Sequence, residues 1–213
     1  IVLGILLIPV NTYFIMWNHL KYWSTLPTTI SLIYNAIISL IILVSLNFLI
    51  QRFAPRFALK NGEFMTVYVM LSVSSALAGH DMIQTVMPTI SDGFWFATPE
   101  NEWRQLFWHH LHRWLTGDDM VVLEEYYHGD SNFHTLNHIN GWIRPVLGWT
   151  VFLTAMGFVM ICLNSLLRKQ WTEHEKLTYP VIQLPLAMIK PSDSGLLRSR
   201  ILWLAFATAG GLN

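Results

Sequence analysis

Three ionisable residues, Glu63, His80 and Asp81, lie in a segment of the chain that is otherwise apolar. Ionisable groups in such a segment are costly and usually face a polar interior or a water-filled path. His80 beside Asp81 is a reasonable pair for relaying protons, although water at an interface would also satisfy both groups. Glu63 has a second interpretation, as an acid at the start of a helix, where the helix dipole stabilises it.

A second group of candidates is a set of six histidines further along the chain: His109, His110, His112, His128, His134 and His138. On a helix, His134 and His138 (i, i+4) or His109 and His112 (i, i+3) could each ligate one metal ion. No HExxH motif and no cysteine pair accompanies them. Histidines among tryptophans more often pack and form hydrogen bonds, so we expect no metal, no cofactor and no catalytic residue here.

The elements that position these residues are membrane spans. Val146 to Leu167 is free of charge for 22 residues, and Ile30 to Ile50 is equally apolar. A helix of that length is about 33 Å long, enough to cross a hydrocarbon core of about 30 Å. The sequence therefore predicts an all-α, polytopic helical membrane protein. Five spans fit, of which the first and last are truncated: 1–17, 30–51, 63–90, 142–167 and 201–213.

Composition supports the bilayer as the principal partner. Hydrophobic residues make up 53% of the chain and charged residues 12%, about half the usual charged share. Equal numbers of basic and acidic residues give no electrostatic reason for a nucleic-acid partner. The single cysteine, Cys162, lies in the middle of an apolar run and indicates no disulfide framework.

Both ends of the sequence lie in apolar runs, so we expect a piece of a longer polytopic protein, with the remainder of its own chain as a partner. A cleaved signal peptide is the alternative for residues 1–17, but no basic region precedes them.

Basic residues predict the orientation. Three lie in 52–62 and six in 168–200, whereas 91–141 has two basic residues against eight acidic ones. The positive-inside rule then places 52–62 and 168–200 in the cytoplasm and 91–141 outside a cell membrane.

The outer connection, 91–141, is too long for a simple loop. Within it, 101–115 places aromatic and aliphatic residues at helical spacing, which predicts an amphipathic helix that lies in the membrane interface or caps a vestibule. We expect 118–138 to be irregular and Asn137–Gly141 to form a turn.

Two interruptions of the apolar pattern suggest broken helices. Gly79 divides the third span, and Pro88 follows it. The apolar run 181–189 is too short to span, contains Pro185 and is bracketed by prolines. It suits a re-entrant or interfacial half-helix of the kind that forms substrate sites in transporters.

The residues Glu175-Lys176-Leu177-Thr178-Tyr179-Pro180 resemble the KL-(T/P)-(Y/F)-P stretch of the oligopeptide transporter superfamily, which includes the yellow-stripe-like metal-chelate carriers. Asn61-Gly62-Glu63 and Tyr68-Val69-Met70 are similar to the entry of the third span in uncharacterised prokaryotic relatives. The chain departs from the superfamily after Pro180, where Val181-Ile182-Gln183-Leu184-Pro185 replaces the usual small residues.

The resemblance implies the N-terminal part of a secondary active transporter, proton-coupled, for small peptides or related solutes. Glu63, His80 or Asp81 would then titrate, and Tyr179 and Gln183 would contact substrate. Two other interpretations stay open: a non-catalytic membrane subunit that anchors partners through 101–142, and a membrane enzyme with a histidine and acid site in the outer connection.

Overall fold

The computed structural model describes residues 1–22, 32–80, 82–129 and 135–189, with a few positions between 200 and 208. This part of the chain is helical and contains no β-strand, which confirms the all-α expectation. In chain order the helices are α1 (Val2–Tyr22), α2 (Tyr34–Phe53), α3 (Asn61–Ala78), α4 (Ile83–Trp95), α5 (Trp103–Leu106), α6 (Met120–His128), α7 (Leu136–Lys169) and α8 (Pro180–Ile189).

Four stretches of the described residues are long and apolar enough to cross a membrane: Val2–Lys21, Tyr34–Phe53, Asn61–Trp95 and Leu136–His174. They correspond to the first four spans expected from the sequence, and the fold is that of a polytopic helical membrane protein. The expected fifth span, 201–213, lies almost wholly outside the described residues.

The chain divides into two compact units, residues 1–83 with 178–213 and residues 84–177. In the first unit α1, α2 and α3 pack together, and α8 packs on α2 and α3. Its apolar core comprises Ala36, Ile37, Leu40, Phe64, Val67, Tyr68, Leu71 and Ile189. Apolar side chains recur at three- and four-residue intervals along α2 and α3, which is why these faces meet.

The third span is broken, as Gly79 led us to expect. Helix α3 ends at Ala78, Gly79 is extended with ψ near 176°, and α4 begins at Ile83. Pro88 lies inside α4. Asp81 itself is outside the described residues.

The second unit is built on α4, α6 and α7, whose shared core contains Ile90, Phe94, Val122, Leu123 and Trp142. Two tryptophans tie the irregular segment between α4 and α6 to these helices. The indole N–H of Trp108 donates to the Gly93 carbonyl at 2.8 Å, and that of Trp149 donates to the Leu115 carbonyl at 2.8 Å.

The expected amphipathic helix over 101–115 is wrong. Only one turn, α5, and a 3-10 turn at Trp108–His110 form there, separated by Phe107 with φ near −138°. The physical reason is tertiary: the Trp108 ring packs on Phe94 with centroids 4.9 Å apart, and its N–H bonds to α4. A continuous helix would forfeit these contacts.

The expectation that 118–138 is irregular and Asn137–Gly141 a turn is also wrong. Asp119 caps α6 by accepting from the Val121 N–H at 3.1 Å, and α7 already begins at Leu136. Gly141 is helical, and its lack of a side chain serves close packing, because a Cβ there would lie 2.9 Å from Val122. Gly148, about two helical turns further along α7, also serves close packing, since a Cβ there would lie 2.2 Å from the Trp114 carbonyl oxygen.

Candidate functional site

A network of neutral polar side chains is buried where α1, α2 and α3 meet. Asn11, Asn35, Ser74 and Ser75 form it, and each is at most 9% exposed. The Asn35 amide donates to Asn11 Oδ1 at 2.7 Å and to Ser75 Oγ at 2.8 Å. The Asn11 amide in turn donates to Ser75 Oγ at 2.9 Å and to Ser74 Oγ at 3.1 Å.

Polar side chains are tolerated in an apolar surrounding when they are hydrogen-bonded, and most groups of this network are. Ser74 and Ser75 both donate to the Leu71 carbonyl, at 2.9 and 2.7 Å. Ser75 lies about 21 Å along α3 from its first residue, well inside a hydrocarbon layer of about 30 Å. Polar groups at such a depth usually hold helices together or mark a path for a solute.

Local sequence explains why the network forms there. Asn11 and Asn35 are the amides on the inward faces of α1 and α2, and the consecutive serines of α3 are small enough to let the helices approach. Each serine hydroxyl donates its hydrogen to the Leu71 carbonyl on the preceding helical turn, and its oxygen then accepts hydrogen bonds from the asparagines.

A cavity of about 250 Å³ lies beside the network. Asn11, Asn35 and Ser39 supply its polar wall, and apolar residues of α1 and α2 such as Leu7 and Phe14 supply the rest. No residue that lines it carries a charge. The cavity is half-open and its accessible lining is almost wholly apolar, because Val10, Ile38 and Ile42 in its walls are also exposed.

Glu63 lies away from this network, in the first turn of α3. Its carboxylate accepts from the Lys60 backbone N–H at 2.7 Å, and its side chain is exposed. This is the helix-terminus role that the sequence offered as the alternative to a pathway role.

His80 follows the end of α3 and lies against His19 of α1, with ring centroids 5.5 Å apart. The sequence paired His80 with Asp81, which lies outside the described residues, so the relay stays a prediction. Sequence reasoning missed His19 because it sits at the end of an apolar span, where a histidine looks like an interfacial anchor.

Tyr179 and Gln183 flank the start of α8. Tyr179 has a left-handed backbone, with φ near 32°, and its side chain is 38% exposed. The Gln183 amide donates to the Thr178 carbonyl at 2.9 Å and is exposed. Neither lines the cavity beside the network.

The histidines of the second unit do not converge. His109, His110 and His112 are exposed, whereas His138 is buried at the start of α7. His138 Nε2 lies 2.8 Å from Glu125 Oε2, at an angle outside hydrogen-bond geometry, so the pair is a charge contact when the imidazole is protonated. Among the described residues no group of three or more His, Cys, Asp or Glu side chains could hold a metal, and His134 lies outside them.

A second polar contact in this unit involves Tyr127 of α6 and two residues of α4. The Tyr127 hydroxyl donates to the Asp92 carboxylate at 2.5 Å and lies 2.8 Å from Ser91 Oγ. Its ring stacks on Trp95 with centroids 4.9 Å apart. Burial first, and then the hydrogen bond to the Asp92 anion, raises the pKa of Tyr127 to about 12.

Fold and site together define a multi-span α-helical membrane protein with a neutral polar network inside its first helical bundle. A family model matches residues 1–213, and the chain belongs to that family, which is described as a family of unknown function, DUF6785. No curated protein and no solved structure matches the chain.

Proposed function

We propose that the chain is the N-terminal part of a secondary active transporter, proton-coupled, for small peptides or related solutes. The observation that supports this best is the half-helix α8, which packs on the spanning helices α2 and α3.

Helix α8 is too short to cross a bilayer. Its ten residues extend about 15 Å, half of a hydrocarbon core of about 30 Å. Ile189 is 7% exposed and belongs to the same core as Phe64 and Leu71, and Leu184 and Met188 pack against that core. Because Phe64 to Leu71 is part of a candidate span, α8 lies alongside a spanning segment.

A helix that stops at membrane depth leaves backbone groups to be satisfied by protein or by a water-filled cavity. Transporters use such broken helices to build substrate sites. The break in the third span after Ala78 is a second feature of this kind. The left-handed backbone of Tyr179, directly before α8, is a strained conformation of the type that clusters at functional sites.

The resemblance of Glu175–Pro180 to the oligopeptide transporter superfamily gives the proposal its substrate class. Pro180 is the first residue of α8, so the motif leads directly into the half-helix. The proposal extends to a cell membrane in which 52–62 and 168–200 face the cytoplasm and 91–141 faces outside.

The test is uptake of mixed di- to hexapeptides into proteoliposomes that hold the full-length protein, with and without an imposed pH gradient. We expect uptake that follows the gradient and falls about tenfold in Gln183→Leu, which is the loss of about 1.4 kcal/mol of interaction. Glu63→Gln is the matched control, because it keeps the acceptor that caps α3.

Absence of peptide uptake in a folded sample would overturn the transport of peptides. Uptake that ignores the pH gradient would overturn proton coupling. Uptake that is unchanged by Gln183→Leu and by Asp81→Asn would remove both candidate sites from the solute path.

A further inference from the structure

A second cavity, of about 270 Å³, lies in the second unit between the start of α7 and the segment that leads into α6. Unlike the cavity beside the buried network, it is lined chiefly by polar and charged side chains. Its charged and amide residues are Arg113, Asp118, Asp119, Asn137, Asn140 and Arg144, and all six are exposed. A solute that enters the cavity can therefore reach them directly.

One wall of this cavity is a polar face of α7. Asn137, Asn140 and Arg144 follow one another at intervals of three and four residues, so they lie on one face of the helix. Among the described residues Arg144 has no ion-pair partner, and neither asparagine side chain has a hydrogen-bond partner. The wall thus offers a guanidinium, whose parallel N–H groups match a carboxylate, together with two amides.

Another wall carries two carboxylates on consecutive residues. Asp119 accepts a hydrogen bond from the Val121 N–H, and Asp118 lies 3.8 Å from Arg113 Nε. That separation is too long for a hydrogen bond, and the Arg113 side chain is 82% exposed. Because exposed ion pairs contribute at most about 1 kcal/mol, Asp118 remains available to a second cation.

The charge of the cavity is balanced overall but separated in space. Two arginines and two aspartates line it, so its formal charge is zero. Arg144 lies on α7, the carboxylates lie at the start of α6, and no ion pair joins the two sides within the described residues. A lone anion would meet two carboxylates and a lone cation two guanidinium groups, whereas a molecule with both charges finds a partner for each.

We propose that this cavity binds a small zwitterion such as a dipeptide of small residues, with its carboxylate on Arg144 and its ammonium on Asp118 and Asp119. A cavity of about 150 Å³ holds a benzene ring, so about 270 Å³ suits a molecule of about ten heavy atoms. The zwitterion follows from the charges alone, and the choice of a peptide rests on the proposed function. The site is a second place for the solute, in a different unit from α8 and Gln183.

The experiment compares three peptides: dialanine, N-acetyl-dialanine, which lacks the ammonium, and dialanine amide, which lacks the carboxylate. Ligand-detected NMR titration measures their binding to the full-length protein in detergent at neutral pH, without added lipid. We expect dialanine to bind with a Kd of about 1 mM, and about tenfold more tightly than either blocked peptide, the effect of one charge-assisted hydrogen bond. Glycerophosphoethanolamine is a fourth probe, because the headgroup of phosphatidylethanolamine also carries an ammonium beside an acid group.

Arg144→Gln should weaken dialanine binding to the level of dialanine amide and leave binding of the amide in place. The matched control is Arg104→Gln, because Arg104 is an exposed arginine of the same unit that stacks on Trp108 and does not line this cavity. Asp118→Asn should strengthen binding of N-acetyl-dialanine several-fold, a gain that a misfolded variant would not show. Glu124→Gln, which is exposed on α6 and outside the cavity, should change neither preference.

Equal binding of the three peptides, or an equal effect of Arg144→Gln and Arg104→Gln, would overturn the inference. Tighter binding of glycerophosphoethanolamine than of dialanine would assign the site to a lipid headgroup and overturn the peptide ligand. Because binding is measured without a pH gradient, selective dialanine binding with no peptide uptake would support this site and contradict the proposed function. Uptake that falls in Gln183→Leu, with a dialanine preference that Arg144→Gln leaves intact, would support the proposed function and overturn this site.

Discussion

The two compact units differ in the polar side chains that they contain: those of the first unit are neutral, and those of the second are ionisable. The first unit buries amides and hydroxyls that bond to one another, and no ionised group takes part. The second unit uses ionisable groups, Tyr127 with Asp92 and His138 with Glu125, in contacts whose acidic partners are partly exposed.

The difference follows from the solvent at each place. Ser75 lies in the middle of a span, where desolvation of an unpaired charge costs several kcal/mol and neutral polar groups are therefore favoured. Tyr127 and Glu125 lie between spans, beside tryptophans typical of a membrane interface, where water screens charge. In the second unit an apolar core and the indole N–H bonds of Trp108 and Trp149, rather than buried amides, connect the segments.

The largest effect should come from the close contact in the second unit. Gly148→Ala would place a Cβ 2.2 Å from the backbone oxygen of Trp114, which cannot swing away. We expect a loss of stability of about 3 kcal/mol, measured as a lowered melting temperature in detergent. Gly157→Ala on the same helix has nothing within 4 Å and should be neutral or slightly stabilising. Equal melting of the two variants would contradict the contact.

A smaller effect should follow from breaking the neutral network of the first unit. Ser75→Ala removes the acceptor of two buried amide N–H groups and should cost about 1–2 kcal/mol. Ser72→Ala is the matched control, because the Ser72 hydroxyl has no partner among the described residues. A cost for Ser72→Ala as large as that for Ser75→Ala would show that packing, not hydrogen bonding, matters there.

The ionisable character of the second unit gives a pH signature. The pKa of Tyr127 is about 12 in the folded protein against an ordinary 10, so the stability from its protonated hydroxyl is complete below pH 10. That contribution is lost as the pH rises toward 12. Absorbance titration of tyrosinate should show a late component that disappears in Tyr127→Phe and moves to lower pH in Asp92→Asn. A late component that survives in Tyr127→Phe would belong to another tyrosine.

The smallest effect should be at Glu63, which lies outside both polar clusters. Glu63→Gln keeps an acceptor for the Lys60 N–H and loses only the favourable charge at the helix start, about 0.5 kcal/mol. Thermal melting and peptide uptake should both stay near the wild-type values. A large loss of uptake would place Glu63 on the solute path.

The fold was predictable where long patterns decide it. The charge-free runs predicted the spans, and Gly79 predicted the break in the third span. The flanking prolines predicted the short helix at 180–189. The prediction of an amphipathic helix over 101–115 was wrong because the contacts of Trp108 with Gly93 and Phe94 outweigh the helical periodicity of the sequence. The prediction of a turn at Asn137–Gly141 was wrong because a glycine such as Gly141 is as typical of close helix packing, here on Val122, as of a turn.

The candidate site was less predictable than the fold. A search for charged and histidine residues in spans passes over Asn11 and Asn35, whose neutral amides look unremarkable within apolar runs. The available signal was an amide in each of two neighbouring spans opposite consecutive serines in a third. Whether these four residues meet depends on the rotation of each helix about its axis, and one sequence does not determine that rotation.

Helix α7 is longer than the charge-free run that it contains. Its 34 residues extend about 51 Å, so about ten residues stand beyond the charge-free run that crosses the membrane. Gly141 in this stem packs on Val122 of α6, and Gly148 and Trp149, just inside the charge-free run, contact Trp114 and Leu115 of the irregular segment. A tilt of about 10° about the middle of the span would carry the N-terminal end of α7 through about 5 Å. Fluorescent labels on α6 would therefore report small rotations of α7 as measurable displacements.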